Sequence, residues 1–196
     1  MDEAREKKQE IRETIERNLA ALSEQEKAEK TRGIENRLFE FANFLESRVV
    51  LLYLHKGGEV NTAGIIRRSY DYNKIVVLPG FELARHRTKL YKVDNFRTDL
   101  VEEGPRGIPE PNPERCKQVP VDSIDIAIIP AVCLDEKGGR IGSGEGFYDR
   151  LIPRLSITTR KVALAFEEQV LSQVPMESHD KHVDIIITEN RIIYKI

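Results

Sequence analysis

The chain has 196 residues, a length that favours one domain, and it is 40% hydrophobic, enough for a core. A formal net charge of −2 gives no electrostatic case for nucleic acid or an anionic membrane, and the apolar runs are too short to span a bilayer. Cys116 and Cys133 form no CxxC pair and the charged first residues hold no apolar signal core, so a cytoplasmic location is expected.

Residues 3–20 read as a helix, with Ile11, Ile15, Leu19 and Leu22 on one face. Lys8 and Arg12 sit one turn apart and can both reach a single anion. Ser23-Glu-Gln-Glu26 is a capping-box signature for a second helix, expected to carry Leu38, Phe41 and Leu45 inward and to end at Ser47-Arg48. Val49 to Leu54 is a β-rich apolar run, read as a central strand of a largely parallel sheet. The glycines of His55-Lys-Gly-Gly-Glu59 mark a turn, and Thr62 is expected to cap the helix bearing Ile65, Ile66 and Tyr70. Glu59 thus falls beyond a strand's carboxyl end, where ligands bind in open α/β sheets. A surface loop acid is the plainer alternative.

Lys74 to Pro79 reads as a second buried strand. Thr88 to Val93 alternates polar and apolar, so it is expected to be half-exposed and antiparallel or at an edge. Residues 94–120 hold most of the prolines and are expected to form an ordered lid or pocket wall. Ile124 to Ile129 and Lys161 to Phe166 are further apolar strands, Glu167 opens a turn or short helix, and His182 to Thr188 with Arg191 to Tyr194 suggests a closing hairpin. These spacings predict a three-layer α/β domain over residues 1–196 with a mostly parallel central sheet.

The most informative stretch is Pro130 to Arg150. It passes glycines at 138, 139, 142, 144 and 146 and closes on Phe147-Tyr148-Asp149-Arg150, a helix start. Strand, glycine loop and helix can gather backbone N–H groups around a phosphate, with Arg140 and Arg150 as cations. It is neither a Walker A loop nor a dinucleotide fingerprint, so a glycine-rich turn without a ligand remains the alternative. His179 and His182 lack a third partner for zinc. Asp149 and Asp184 suit a hard ion such as magnesium. No serine or cysteine nucleophile is signalled, and Cys133 reads as a core thiol.

Pro130-Ala-Val-Cys-Leu-Asp135 followed by Gly139-Arg-Ile-Gly-Ser-Gly-Glu-Gly-Phe-Tyr-Asp-Arg150 resembles the signature of the 5-formyltetrahydrofolate cyclo-ligase family. Lys8 with Arg12, Glu59-Val-x-Thr62, Ile108-Pro-Glu-Pro111, Ala163-Leu-Ala-Phe-x-x-Gln169, Val174-Pro175 and Val183-Asp184 match further family segments in order. The resemblance implies a three-layer fold of the sugar-phosphate isomerase kind. It also implies an ATP-dependent closure of 5-formyltetrahydrofolate to 5,10-methenyltetrahydrofolate, with Mg2+ as cofactor. Carried over by position, Lys8 and Arg12 would hold ATP phosphates. Arg140, Ile141, Gly142, Ser143, Gly144, Glu145, Gly146, Phe147 and Tyr148 would wrap the triphosphate, with Arg140 and Asp149 acting in catalysis. Asp149 and Asp184 would bind the metal. Leu54, Glu59, Arg106 and Tyr148 would bind the folate. ATP and the folate are the only partners implied, for a monomer.

Four positions depart from the family pattern: Ala131, Cys133, Glu145 and Arg106. Glu145 adds negative charge beside the glycine loop, and if it pointed inward it would oppose a phosphate. Arg106 stands where an aromatic is common. These two motivate an alternative, a non-catalytic folate- or nucleotide-binding regulator on the same fold.

Overall fold

A computed structural model describes residues 2–195; Met1 and Ile196 lie outside the described residues. The long helices are α1 (Asp2–Ala20) and α2 (Glu24–Leu38). The Ser23 hydroxyl accepts the Glu26 N–H at 3.1 Å and the Glu26 carboxylate accepts the Ser23 N–H at 2.7 Å, completing the capping box. The helix does not run on to Ser47. It stops after Leu38, and a separate short α3 (Ala42–Glu46) follows. Phe39 and Phe41 are both buried, two residues apart, which one continuous helix would place on different faces. The break brings both rings inward and leaves Leu45 exposed, against expectation.

The remaining elements follow in order: β1 (Val49–Leu51), α4 (Ala63–Asp71), β2 (Ile75–Glu82), β3 (Arg87–Lys92), β4 (Leu100–Val101), β5 (Glu110–Pro111), β6 (Lys117–Gln118), β7 (Ile126–Ile129), β8 (Cys133–Asp135), β9 (Arg140–Ile141), α5 (Phe147–Leu151), β10 (Arg160–Leu164), β11 (Val170–Leu171), β12 (Ile185–Ile187) and β13 (Ile192–Tyr194). Among the described residues eight strands form one sheet in the order β13-β12-β10-β7-β1-β2-β3-β6. The run β12-β10-β7-β1-β2 is parallel, and the flanking β13, β3 and β6 are antiparallel.

Alternation along the parallel strands builds two cores. Val50, Val76, Ile126, Ile128, Val162 and Ile185 face one way, with Ile15 and Leu19 of α1, Ile34 and Leu38 of α2 and Ile65 of α4. Leu51, Val77, Ala127, Ile129, Ala163 and Ile186 face the other way, toward Phe147, Tyr148 and Leu151 of α5. The three layers expected from sequence are therefore present, the second helical layer being thin. From β1 the chain passes through α4 to β2 on one side. From β7 it passes through α5 to β10 on the other. The strand order thus reverses between β1 and β7, and a crevice opens beyond their carboxyl ends. Those ends lead directly into the Glu59 loop and the Pro130–Arg150 stretch.

The proline-rich stretch is ordered. β4 pairs with β5, β6 extends the main sheet beyond β3, and residues 106, 108 and 109 wall a small space over the sheet.

Candidate active site

The turn into the site is built by Asp135, 3% exposed and so a buried carboxylate that needs donors. Its Oδ1 accepts the Lys137 and Gly139 N–H groups at 3.0 and 2.9 Å, and its Oδ2 accepts the Val174 N–H at 2.9 Å. This folds β8 back on β9, a hairpin absent from the sequence reading, and delivers Arg140 to the mouth of the loop. Gly144 (φ 102°) and Gly146 (φ 71°) then take left-handed backbone angles that a side chain would strain. Gly146 opens α5.

The loop borders a cavity of about 520 Å3 lined by Arg5, Lys8, Arg12, Arg106, Arg140, every residue from Ile141 to Asp149, Glu177, His179 and Asp180. The expected nucleotide residues are thus brought together. Arg12 Nε donates to the Gly142 carbonyl at 2.8 Å and pins the loop to α1. Burial lowers the Arg12 pKa from its ordinary value, although a guanidinium stays charged. Arg140 is 4% exposed. It donates to the Pro130 carbonyl at 3.0 Å and to Asp149 Oδ1 at 3.1 Å, while its buried Nε has no partner.

Lys8 does not present a free cation. It donates to Glu177 at 2.8 Å and Asp180 at 2.5 Å. Burial works to lower its pKa, but these carboxylates outweigh that and raise it. Glu177, His179 and Asp180, with ligand atoms within 4.8 Å of one another, were missed from sequence. The signal was present as His179-Asp180, read only as half of a histidine pair.

Asp184 is not brought to the cavity. It precedes β12 at the amino-terminal end of the parallel strands, opposite the crevice, and its Oδ2 accepts the Lys161 N–H at 3.0 Å. Its expected metal role is therefore corrected. Asp180 stands on the cavity wall instead, and the next residue, Lys181, donates its N–H to Asp149 Oδ1 at 3.0 Å.

Leu54, Arg106 and Tyr148 meet, as expected for one pocket, around a space of about 10 Å3 with Leu78, Pro79, Phe81, Ile108 and Pro109. Burial raises the Tyr148 pKa. Glu59 is 7% exposed, and its Oε2 accepts the Lys56 N–H at 2.8 Å. Burial pushes its pKa up to about 7, with Arg106 and Arg140 near enough to oppose the shift. Glu59 also borders a second cavity of about 560 Å3 between α2 and α4. Thr62 stands at the N-cap of α4 as expected but makes no side-chain cap bond; its hydroxyl donates to the Tyr53 carbonyl, holding the turn that carries Glu59.

Gln169 locks this loop to the strand ends. It is fully buried, its Nε2 donates to the Gly58 and Val132 carbonyls at 2.8 and 3.0 Å, and its Oε1 accepts the Phe166 N–H at 2.8 Å. Gln169→Leu leaves three backbone groups without partners and is expected to destabilise the protein by about 3 kcal/mol, read as a lower urea midpoint. An unchanged midpoint would refute the locking role.

Glu145 does not point free into the loop. Its Oε2 accepts from Arg106 Nε and Nη2 at 2.7 and 2.6 Å, and Ser143 adds a bond at 3.1 Å. Burial works against its charge, but Arg106 holds its pKa below the ordinary carboxylate value.

The model of the 5-formyltetrahydrofolate cyclo-ligase family matches residues 4–189. A 5-formyltetrahydrofolate cyclo-ligase of Saccharomyces cerevisiae is 30% identical, covering 92% of this chain and 94% of its own. A probable 5-formyltetrahydrofolate cyclo-ligase of Caenorhabditis elegans is 27% identical over 98% of both chains. The solved 5,10-methenyltetrahydrofolate synthetase of Aquifex aeolicus superimposes with a TM-score of 0.83 at 29% identity, covering 96% of this chain and 92% of that one. With this match across nearly its whole length, the chain belongs to the 5-formyltetrahydrofolate cyclo-ligase family.

Proposed function

We propose that the glycine-loop cavity holds the triphosphate of ATP, that the space beside Tyr148 receives the folate ring, and that the enzyme closes 5-formyltetrahydrofolate to 5,10-methenyltetrahydrofolate between them. The carrying observation is a cavity on a glycine loop, bordered by Arg12 and Arg140, that shares Arg106 and Tyr148 with an apolar pocket. A formamide oxygen is a poor leaving group. Transfer of the terminal phosphoryl of ATP to that oxygen makes it a good one and releases ADP. Nitrogen 10 of the folate then attacks the formyl carbon and loses its proton, the carbon–oxygen bond breaks, and phosphate departs. Such a reaction needs positioning and charge neutralisation rather than a protein nucleophile.

The residues divide that work. Backbone N–H groups from Ile141 to Tyr148 cradle the phosphates, Arg12 fixes the loop, and Arg140 faces the transferred phosphoryl group. Glu59 accepts from the ring N–H donors, and Leu54 packs beside the ring. Asp149 and Asp180 offer the one or two carboxylates that Mg2+ takes, and the ion would supply charge neutralisation on the phosphate oxygens. Glu145 spends its charge on Arg106, which removes the observation that favoured a non-catalytic regulator. We further read the chain as one domain of the sugar-phosphate isomerase kind, on the strength of its doubly wound parallel core, and as a cytoplasmic monomer. No described helix is long and apolar enough to cross a membrane.

The purified protein with ATP, Mg2+ and 5-formyltetrahydrofolate should show rising methenyl absorbance and stoichiometric ADP. Absence of both would sink the assignment. In the same assay Asp180→Asn should raise the Mg2+ concentration for half-maximal rate about tenfold, the low end for a lost metal-shell group. Asp184→Asn should leave it unchanged. The reverse ranking would restore Asp184 to the site.

A further inference from the structure

The space assigned to the folate ring is already full. Its free volume of about 10 Å3 admits one water at most, against roughly 300 Å3 for a small ligand pocket. What fills it is Arg106. The guanidinium lies 4.4 Å over the Phe81 ring and 6.0 Å from the Phe147 ring, and the side chain is 5% exposed. A planar cation stacked on an aromatic face takes the place that a flat heterocycle would take.

Arg106 is held there from the nucleotide side. Glu59, Glu110 and Glu145 all surround it, but Glu145 is the carboxylate that bonds it. Glu145 belongs to the glycine loop, and its other oxygen lies 3.7 Å from Lys56 Nζ in the segment that carries Glu59. One carboxylate therefore ties the phosphate loop to Arg106 of the ring pocket and to the segment that carries Glu59. Arg106 also lines the large cavity, so the same guanidinium borders both sites.

We propose that the Arg106–Glu145 pair is a latch that closes the folate pocket until a nucleoside triphosphate occupies the glycine loop, so that nucleotide binding precedes and promotes folate binding. The driving chemistry is competition between anions. A triphosphate at the loop offers Arg106 bidentate phosphate oxygens and places like charge beside Glu145. Arg106 moves from the Phe81 face to the phosphates, and the ring pocket empties. By linkage, folate must then strengthen nucleotide binding by the same factor. This inference rests on the two ligand assignments made above.

The test is calorimetric titration of the full chain with 5-formyltetrahydrofolate, with and without a non-hydrolysable ATP analogue and Mg2+. The wild type is expected to bind the folate about tenfold more tightly with the analogue, within the usual span of coupling between sites. Glu145→Gln keeps the shape and loses the charge. It should bind folate in the absence of nucleotide nearly as tightly as in its presence. Arg106→Met, which also removes the latch, should lose the coupling too. Folate binding that ignores the analogue in the wild type, or coupling that survives in Glu145→Gln, overturns the latch and leaves the ligand assignments standing. Failure of either ligand to bind under any condition overturns both.

Discussion

Arg140→Lys is expected to lower kcat about a thousandfold while leaving the folate dissociation constant within about threefold of wild type, the low end of what an arginine supplies in phosphoryl transfer. The guanidinium is preorganised before any ligand arrives. The Pro130 carbonyl and Asp149 hold its two terminal nitrogens at 3.0 and 3.1 Å, and its buried Nε is left without a partner. A buried N–H without an acceptor carries a free-energy penalty that an incoming oxygen relieves. Lysine keeps the charge but has one nitrogen, so it cannot keep both anchors and also meet the phosphoryl group. Equal losses in kcat and kcat/KM would place the interaction in the transition state. A kcat within tenfold of wild type, with the melting temperature preserved, would remove Arg140 from catalysis.

Much of this arrangement was legible in the chain. The parallel sheet followed from the apolar runs at residues 49–54, 74–79, 124–129 and 161–166, because strands buried on both faces have no polar face to show. The capping box fixed the start of α2 because its two bonds are local. The end of α2 was not legible, because the break is set by tertiary packing of Phe39 and Phe41, and local sequence does not encode which ring finds which neighbour. Sequence order likewise singled out Asp184 rather than Asp180 as a candidate for the metal. Asp180 and Asp184 are four residues apart, but the chain crosses from one end of the sheet toward the other between them, and only Asp180 stays on the cavity side. The departures at Arg106 and Glu145 looked like two independent faults because 39 positions separate them. In space they are one ion pair, each accounting for the other.

Glu59→Gln is expected to weaken folate binding about 50-fold, roughly 2 kcal/mol, with KM carrying the loss and kcat little changed. A carboxylate accepts from two ring donors at once, whereas the amide turns an NH2 group toward one of them. The same residue sets a pH dependence. Its folded-state pKa is pushed from 4.5 up to about 7 by burial. Between those values the folded protein holds a proton that the unfolded chain has released. Stability contributed by this group is therefore greatest below about pH 4.5, declines as pH rises, and levels off above about pH 7, a total of about 3 kcal/mol. Buried Glu110 is shifted in the same direction, so the informative quantity is the difference between wild type and Glu59→Gln. That difference should favour the variant increasingly from acid pH to pH 7, measured by urea unfolding. Folate binding runs the other way. Only the ionised carboxylate accepts both donors, so wild-type affinity should climb toward pH 7 and then flatten, with proton release on binding below that pH. A variant that keeps the wild-type affinity and its pH profile would mean that another group reads the ring. An affinity lost in the variant without the pH profile would mean that Glu59 is already ionised before the folate arrives, and that Arg106 and Arg140 offset its burial more fully than the geometry indicates.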